Sequence, residues 1–280
     1  MMEGPEQVFD RGLYAARLRK AKGSEPNILT RTIAEELAER LGLVTRDFKT
    51  AAVIAAEPDA VAARLLETGK IKAVATIDPP ADELIRLEAQ SCDAVFSVLD
   101  LQSVNDVPGY LIQMRQALKP DGLLLACLFA GDTLTELRQS WLAAEARLSG
   151  GATPRVAPMI GVRELGALLQ RAGFALPVAD LDRTTVRYGD AVSLIHEIGE
   201  LGFANHLTSR SRRFVSRSLL GAAIGHYHEH FADDDQRIRA TLDIAWLTAW
   251  SPHESQQRPL KPGSARMRLA DALKVPEQKL

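Results

Sequence analysis

Residues 48–61 read Phe-Lys-Thr-Ala-Ala-Val-Ile-Ala-Ala-Glu-Pro-Asp-Ala-Val, an apolar run that leads into a turn and then into a helix. We predict a strand at 51–55 and a helix from Asp59, whose side chain can cap the helix N-terminus. Further apolar strand-like segments lie at 71–78, 93–99, 123–129, 174–180 and 242–250. Apolar residues recur at the spacing of a helix face at 31–41, 108–118, 134–148 and 162–172, and over most of 188–231. This alternation predicts an α/β fold with helices covering a largely parallel sheet.

The composition is that of an ordinary globular protein. The chain has 280 residues, 46% of them hydrophobic and 25% charged, with a net charge of -2. That balance argues against a generally basic nucleic-acid surface. No apolar run approaches the ~18 residues of a membrane span, and residues 1–6 lack the pattern of a signal peptide. Cys92 and Cys127 lie in apolar segments, so we expect reduced, buried thiols and a cytoplasmic protein.

The turn after the first predicted strand contains no glycine. In a nucleotide-binding sheet this turn is usually glycine-rich, because backbone N–H groups and the helix start must lie against the ligand. Here Ala55, Ala56 and Glu57 occupy it. We predict that side-chain atoms and a carboxylate crowd the space that a nucleoside would need. If the turn required positive φ, each alanine would add strain of about 1–2 kcal/mol.

Several motifs point to a known family. They are Val-Phe-Asp-Arg at 8–11, Asp-Ala-Val-Phe-Ser at 93–97, Val-Asn-Asp-Val-Pro at 104–108 and Leu-Lys-Pro-Asp-Gly at 118–122. These resemble class I S-adenosylmethionine-dependent methyltransferases. More specific are Phe-Ala-Gly-Asp-Thr-Leu-Thr-Glu-Leu-Arg at 129–138, Leu-Leu-Gln-Arg-Ala-Gly-Phe at 168–174 and Trp-Ser-Pro-His-Glu-Ser-Gln at 250–256. Together they resemble the assembly factor 5 family of respiratory complex I and its bacterial relatives. That family is close to the malonyl-carrier-protein methyltransferases of biotin synthesis.

The resemblance implies a class I methyltransferase (Rossmann-like) α/β fold, with a seven-stranded or reduced sheet, a reversed last hairpin and a helical cap insertion. The predicted divisions are an N-terminal helical lead at 1–47, a methyltransferase-like core at 48–184, a helical cap insertion at 185–240, and a C-terminal strand hairpin and tail at 241–280. Between Asp78 and Asp82 the chain is shorter than the family pattern, so about one strand and one helix should be missing.

The same resemblance implies S-adenosylmethionine as cofactor, although the glycine-free turn argues against it. The corresponding cofactor positions are Ala55, Glu57, Asp78, Asp82 and Leu99. Asp78 either replaces the ribose-binding carboxylate or merely ends a strand beside two prolines, and the sequence leaves both readings open.

Asp132, Trp250, His253 and Glu254 are the candidate catalytic residues, since they match the family's densest motifs. Asp132 follows a core strand at the edge where open α/β sheets bind ligands. A purely structural alternative is that Asp132 or Thr133 caps the next helix. The segment after Trp250 could likewise only fix the hairpin to the cap.

Two further clusters have plainer interpretations. His226 and His230 share one helix face at i, i+4 spacing, but a metal site needs a third ligand, so we expect no metal. The arginines of the cap could dock an acidic protein surface, although a solvated helix start is the simpler reading. They are Arg210, Arg212, Arg213 and Arg217.

The sequence thus favours a methyltransferase-fold protein with a degenerate adenosylmethionine site, located in the bacterial cytoplasm. Its expected partner is a protein client, either a respiratory-complex subunit or an active paralogue. The alternative is an active methyltransferase or protein-arginine hydroxylase with a remodelled pocket, since arginine hydroxylation is the activity of the mitochondrial family members. A carrier-protein methyltransferase of the biotin type has only the basic cap cluster in its favour.

Overall fold

A single sheet organises the molecule, and the computed structural model describes residues 7–257 of the chain. Its strands are Phe48–Ala55 (β1), Ile71–Ile77 (β2), Cys92–Val98 (β3), Leu118–Ala130 (β4), Ala175–Tyr188 (β5) and Ile238–Trp250 (β6). The strand order is β2-β1-β3-β4-β6-β5. Strands β1 to β4 are parallel, whereas β6 runs antiparallel to both β4 and β5. The carboxyl ends of β1, β2, β3 and β4 therefore lie at one edge of the sheet.

Helices cover both faces of this sheet. They are Arg11–Ala21 (α1), Ile28–Gly42 (α2), Pro58–Glu67 (α3), Val107–Ala117 (α4), Thr135–Ser149 (α5), Val162–Arg171 (α6), Ala191–Glu200 (α7) and Arg217–Phe231 (α8). One hydrophobic cluster contains α4 and α6, and the opposite cluster contains α2 and α3. Adjacent residues of β3 alternate between them, since Val95 joins the first and Phe96 the second. The α/β prediction is confirmed.

The reduced sheet is also confirmed. No helix or strand lies between Ile77 and Cys92, so β2 forms the edge of the sheet. The connecting segment nevertheless belongs to the core, because Ile85 is 8% exposed within the cluster beside α4. Both cysteines are free and buried, as expected.

The cap is inserted differently from the prediction. β5 runs to Tyr188 and β6 starts at Ile238, so both strands cross the predicted limits of the insertion at 185 and 240. Among residues 7–257 the reversed hairpin consists of β5 and β6, and α7 and α8 lie between its two strands rather than before them. The two strands are longer than predicted because they pair with each other in one continuous ladder from Val178 onwards. The predicted tail from residue 258 lies outside the described residues.

A third hydrophobic cluster joins the cap to the core. Trp141 of α5, Leu194 of α7 and Tyr227 of α8 pack together in it. Across residues 7–257, no helix combines the length and the apolar character that crossing a membrane requires.

Candidate functional site

The carboxyl edge of β1 is closed by a tight turn. Only Ala56 and Glu57 separate β1 from α3, which starts with Pro58. Glu57 has φ -125, and no residue of this turn adopts positive φ. The replacement of the glycines therefore causes no left-handed strain, because the turn has taken a different path. Ala55, a predicted cofactor position, is 2% exposed within the core.

The carboxylate of Glu57 faces α2. It accepts hydrogen bonds from the Asn27 backbone N–H at 3.2 Å and from the Thr30 hydroxyl at 2.5 Å. The Asn27 side chain also donates to it. Asn27 in turn caps α2 by accepting from the Thr30 backbone N–H at 2.8 Å. Glu57 thus fixes the start of α2 to the β1 turn.

The acids beyond β2 are paired as well. Asp78 accepts a hydrogen bond from Lys22 Nζ at 2.6 Å in a partly exposed ion pair. Asp82 contacts Arg86, and this hydrogen bond is the main reason why the pKa of Asp82 is lowered. The structure therefore holds Asp78 against the end of α1, which favours the reading of Asp78 as a strand-end residue.

A fully buried acid at this edge is Asp100, which follows β3 and which the sequence analysis did not identify. It is fully buried and accepts from Arg11 Nη1 at 2.7 Å and from the Tyr110 hydroxyl at 2.8 Å. Arg11 Nη2 also donates to the Pro80 carbonyl at 2.9 Å. Burial lowers the pKa of Arg11, but Asp100 outweighs this and raises it. Burial, reinforced by Asp100, raises the pKa of Tyr110.

Leu99, another predicted cofactor position, has a structural role at this edge. It adopts positive φ of 51 and is buried. Its carbonyl accepts from the Tyr14 hydroxyl at 2.9 Å and from Gln102 Nε2 at 2.6 Å. Tyr14, like Arg11, belongs to α1. Through Arg11 and Tyr14, α1 therefore covers the carboxyl end of β3.

Three acids at this edge are paired within the protein. The acids that end β1, β2 and β3 each bind a residue of the segment 9–30, which we call the N-terminal segment. Glu57 binds Asn27, Asp78 binds Lys22, and Asp100 binds Arg11. All three acids therefore already have hydrogen-bond partners within the protein.

Asp132 lies at the carboxyl end of β4, in a network with β5 and β6. Its carboxylate accepts from Arg183 at 2.5 Å, and its backbone N–H donates to Asp243 Oδ2 at 2.8 Å. Asp243 is fully buried and also accepts from Arg183 Nε at 2.7 Å. The hydrogen bond from Arg183 lowers the pKa of Asp243. Asp132 is itself exposed, and its ion pair with Arg183 ties the turn after β4 to β5.

The expected capping of α5 is wrong. The N-cap of α5 is Leu134, which has positive φ and makes no side-chain capping bond. Thr133 instead donates to the Ala130 carbonyl at 2.8 Å and accepts from the Asp243 backbone N–H at 2.9 Å. The Gly-Asp-Thr motif therefore fastens β4 to β6.

Trp250, His253 and Glu254 lie at the opposite edge of the sheet. Because β6 is antiparallel to β4, Trp250 pairs with Leu123, whereas Asp243 pairs with Ala130. Seven residues of strand separate the two pairs, roughly 23 Å. The expected grouping of these side chains with Asp132 is therefore not formed.

His253 and Glu254 are exposed, and the segment that carries them closes the turn before the buried part of β4. The Gln256 amide donates to Asp121 Oδ1 and to the Ser251 carbonyl, both at 2.8 Å. The Arg46 guanidinium lies 5.5 Å from the centre of a Trp250 ring. The contacts of this motif are structural, since they hold the end of β6 against β4 and not against the cap.

The two candidate clusters of the cap show ordinary contacts. The rings of His226 and His230 stack with centroids 4.0 Å apart, and His226 Nδ1 lies 3.2 Å from Ser140 Oγ. Within residues 7–257 no group of three or more His, Cys, Asp or Glu is placed to hold a metal ion. Arg210 pairs with Asp10 at 3.2 Å, so this member of the basic cluster holds the N-terminal segment.

A cavity of about 360 Å³ lies between the sheet and the cap. Sequence reasoning did not find this apolar cavity, since its walls come from distant elements: α2, the ends of β4 to β6, and α7. Its polar lining includes Gln102, Ser103 and His206. His206 Nε2 lies 2.9 Å from Ser103 Oγ, and Nδ1 lies 3.2 Å from the Ala204 carbonyl. Nδ1 therefore donates to the carbonyl and Nε2 accepts from Ser103.

His206 makes stability depend on pH. Burial lowers the pKa of His206 from 6.5 to about 4. Between pH 4 and pH 6.5 the imidazole is therefore protonated in the unfolded chain but neutral in the folded chain. The free energy of unfolding should therefore fall by about 2 kcal/mol between pH 7 and pH 5. His206→Gln should lose this part of the dependence. Urea unfolding of both proteins at several pH values checks the difference, and parallel curves would contradict it.

Comparisons with known proteins agree with this architecture. Residues 33–126 match the family model described as "Methyltransferase domain". The mitochondrial arginine-hydroxylase NDUFAF5 of Danio rerio is 30% identical over 96% of this chain and 90% of its own length. The malonyl-[acyl-carrier protein] O-methyltransferase of Xylella fastidiosa is 34% identical over 58% of this chain and 52% of its own length.

A solved structure of similar fold is the Haemonchus contortus phosphoethanolamine N-methyltransferase 2 in complex with S-adenosyl-L-methionine. It has a TM-score of 0.46 and 13% identity, and covers 89% of this chain and 58% of that one. The relation at the level of family rests on sequence. Identity to the Danio rerio protein extends along almost the whole length of both chains, and the Rattus norvegicus protein of the same name is 32% identical over 96% of this chain. The chain therefore belongs to the family of the arginine-hydroxylase NDUFAF5 proteins.

Proposed function

We propose that this chain is a methyltransferase-fold protein with a degenerate adenosylmethionine site, and that it acts by binding a protein client. The observation that carries the proposal is the buried Arg11–Asp100 pair at the end of β3. A ligand in this place would have to break that pair. Removing one partner of a buried ion pair costs about 3–5 kcal/mol, because the other charge stays buried without compensation.

The β1 turn adds to this argument. Glu57 holds Asn27 and Thr30 with its carboxylate, so a ligand that displaced it would also uncap α2. Losing an N-cap costs about 1 kcal/mol. Together with the lost Arg11–Asp100 pair, this would weaken cofactor binding by several orders of magnitude.

The client would be a protein with an acidic surface. Arg212, Arg213 and Arg217 lie in or next to the segment before α8, and Phe214 between them is fully exposed. Cations around an exposed aromatic side chain are suited to an acidic partner with an apolar patch. The names of the relatives suggest a client that presents an arginine, and the family resemblance implies that this client is a subunit of a respiratory complex.

Isothermal titration of the purified protein with S-adenosylmethionine and S-adenosylhomocysteine tests the degenerate site. We expect no saturable heat up to millimolar ligand. A malonyl-carrier-protein methyltransferase measured in the same way is the positive control. A dissociation constant in the micromolar range would overturn the proposal.

Client binding is tested separately by co-purification. A tagged chain should retain subunits of a respiratory complex, and the double variant Arg212→Glu/Arg213→Glu should retain them at least tenfold less. Equal retention by wild type and variant would contradict the docking surface. Neither residue takes part in the hydrogen bonds of the carboxyl edge, so the fold should be unchanged.

The second candidate is an enzyme that modifies an arginine, with a remodelled pocket. The observation in its favour is the apolar cavity under the cap, next to the ends of the strands. Incubation of arginine-bearing client protein with dioxygen and a two-electron reductant would then give a product heavier by one oxygen atom, and incubation with adenosylmethionine would give a product heavier by one CH₂ unit. Mass spectrometry distinguishes these products from unmodified client, which the leading proposal expects.

A further inference from the structure

We propose that the cavity under the cap binds an aliphatic chain that ends in a cation, an ammonium or a guanidinium, and that Glu197 is the counter-ion. The cavity measures about 360 Å³, which is within the range of small-molecule sites. A free alkyl cation and a basic side chain of a bound protein share this chemistry. The inference goes beyond the proposed function, because it concerns the cavity and stands whether or not adenosylmethionine binds.

Glu197 interrupts the apolar face of α7. The residues at i, i+3, i+4 and i+7 of this face all line the cavity: Leu194, Glu197, Ile198 and Leu201. A helix face that packs over a core normally carries only apolar side chains. Glu197 is half-buried there, whereas Glu200 of the same helix is exposed and lies outside the lining. The position of Glu197 therefore directs a carboxylate towards the cavity instead of towards water.

The charge of Glu197 is not neutralised by the protein. Among residues 7–257 no basic side chain forms an ion pair with it. Its neighbour is the Tyr188 hydroxyl, and after burial Glu197 is the next cause of the raised pKa of Tyr188. A neutral phenol can donate a hydrogen bond to the carboxylate but does not balance its charge. A half-buried carboxylate among aliphatic side chains attracts a ligand cation more strongly than one in water does.

The other charged or titratable side chains around the cavity do not favour an anion. Arg155 lines it but is paired with Glu145 at 2.6 Å. His206 is neutral at pH 7, because burial lowers its pKa to about 4. Arg138 lies outside the lining, and its Nη2 donates to two backbone carbonyls of the wall at 3.2 and 3.3 Å. An anionic ligand would therefore meet the carboxylate of Glu197 without a free cation to bind it.

The rest of the wall favours an aliphatic chain. It is formed by aliphatic and aromatic side chains from α2, α7 and the central strands: Leu29, Ile33, Phe129, Ile198, Leu242 and Ile244. Transfer of an alkyl chain from water into such surroundings is favourable, but it gives no preference for a head group. The wall therefore contributes affinity, and Glu197 selects the charge.

Competition with a fluorescent probe tests the site in the intact protein. N-phenylnaphthylamine is neutral and apolar, and we expect it to bind saturably. Octylguanidinium and octylurea have nearly the same shape but differ in charge. The guanidinium should displace the probe at least tenfold better than the urea, and octanoate should displace it least.

Three variants locate the binding and the charge preference. Glu197→Gln keeps the shape of the side chain and can still accept from the Tyr188 hydroxyl. It should abolish the preference for octylguanidinium over octylurea, while the probe binds as in wild type. Glu200→Gln, the same change outside the lining, is the matched control and should keep the preference. Ala157→Leu places extra atoms in the cavity and should weaken the probe and both octyl ligands at least tenfold. Circular dichroism confirms that the variants are folded.

Any of the following results would overturn the site. They are no saturable probe fluorescence, equal displacement by octylguanidinium and octylurea, a preference that persists in Glu197→Gln, a preference lost equally in Glu200→Gln, and unchanged affinities in Ala157→Leu.

Two blocked pentapeptides distinguish the sources of the cation. Alanines flank a central arginine in one and a central citrulline, its neutral counterpart, in the other. Displacement by the arginine peptide alone would assign the site to a basic side chain of a protein. Displacement by octylguanidinium and by neither peptide would assign it to a free alkyl cation. Equal displacement by both peptides would contradict recognition of the charge.

Discussion

Arg11→Ala is expected to lower the free energy of unfolding by about 3–5 kcal/mol, because it leaves the charge of Asp100 buried with a single hydrogen-bond donor, Tyr110. Arg11 is 4% exposed, so water cannot easily replace its guanidinium. The loss would also free the Pro80 carbonyl, which Arg11 binds at 2.9 Å. Urea unfolding followed by circular dichroism measures the change. A loss below 1 kcal/mol would show that Asp100 is not held as a buried ion.

Two further variants distinguish the stability contributed by the Arg11–Asp100 pair from that of the other contacts of α1. Lys22→Ala removes the other ion pair between α1 and the strand ends, but that pair is partly exposed and should contribute less than about 1 kcal/mol. The double variant Arg11→Ala/Asp100→Asn should regain part of the stability lost in Arg11→Ala, because no uncompensated charge remains. Simple additivity in that cycle would contradict direct coupling between the two side chains.

Gly131→Ala is expected to destabilise the protein by about 3 kcal/mol, since two costs combine at this position. Gly131 has positive φ of 54, and an added Cβ would lie 2.5 Å from Asp243 Oδ2. Asp243 cannot move away cheaply, because it is fully buried and bound to Arg183 and to the Asp132 N–H. Thermal and urea unfolding measure the effect.

Gly150→Ala is the matched control. Gly150 has a similar φ of 64, but nothing lies within 4 Å of its added Cβ. This variant should therefore show the backbone strain alone, about 1 kcal/mol. Equal losses in the two variants would mean that the contact with Asp243 contributes nothing. The difference between the two losses of stability measures the cost of the clash between the added Cβ and Asp243, where β4 and β6 meet.

Much of the fold could be read from the sequence because strand and helix patterns alternate clearly. Val95 and Leu124 lie in apolar runs that can only belong to buried strands, and the shortened connection after Asp78 correctly indicates a reduced sheet. Helix α1 was not recognised as a separate element, since Leu18 is the only large aliphatic residue on its buried face, beside Arg11, Tyr14 and Ala15. Such a face gives a weak hydrophobic signal.

The site was harder to predict, because it depends on strand direction and on contacts between distant segments. Trp250 ends one apolar strand and Asp132 follows another, but the antiparallel course of β6 places them at opposite edges. Asp100 belongs to no motif that we quoted, and its partner Arg11 lies 89 positions away in the chain. The sequence did contain a signal for this pair: Asp100 comes directly after a buried strand, and Arg11 belongs to an Asp-Arg motif near the start of the chain.

The insertion between β5 and β6 has a consequence for how this family can change its specificity. Tyr188 and Ile238 are direct partners in the ladder, so the chain leaves the sheet and returns to it at adjacent positions, about 5 Å apart. Residues 189–237 are attached to the sheet at the tip of this two-stranded ribbon, and they also pack on α5 through the third hydrophobic cluster. They could therefore be exchanged for those of a relative with a matching contact face, without a change of register in the β5–β6 ladder. Partner choice would then behave as an interchangeable module on a constant scaffold.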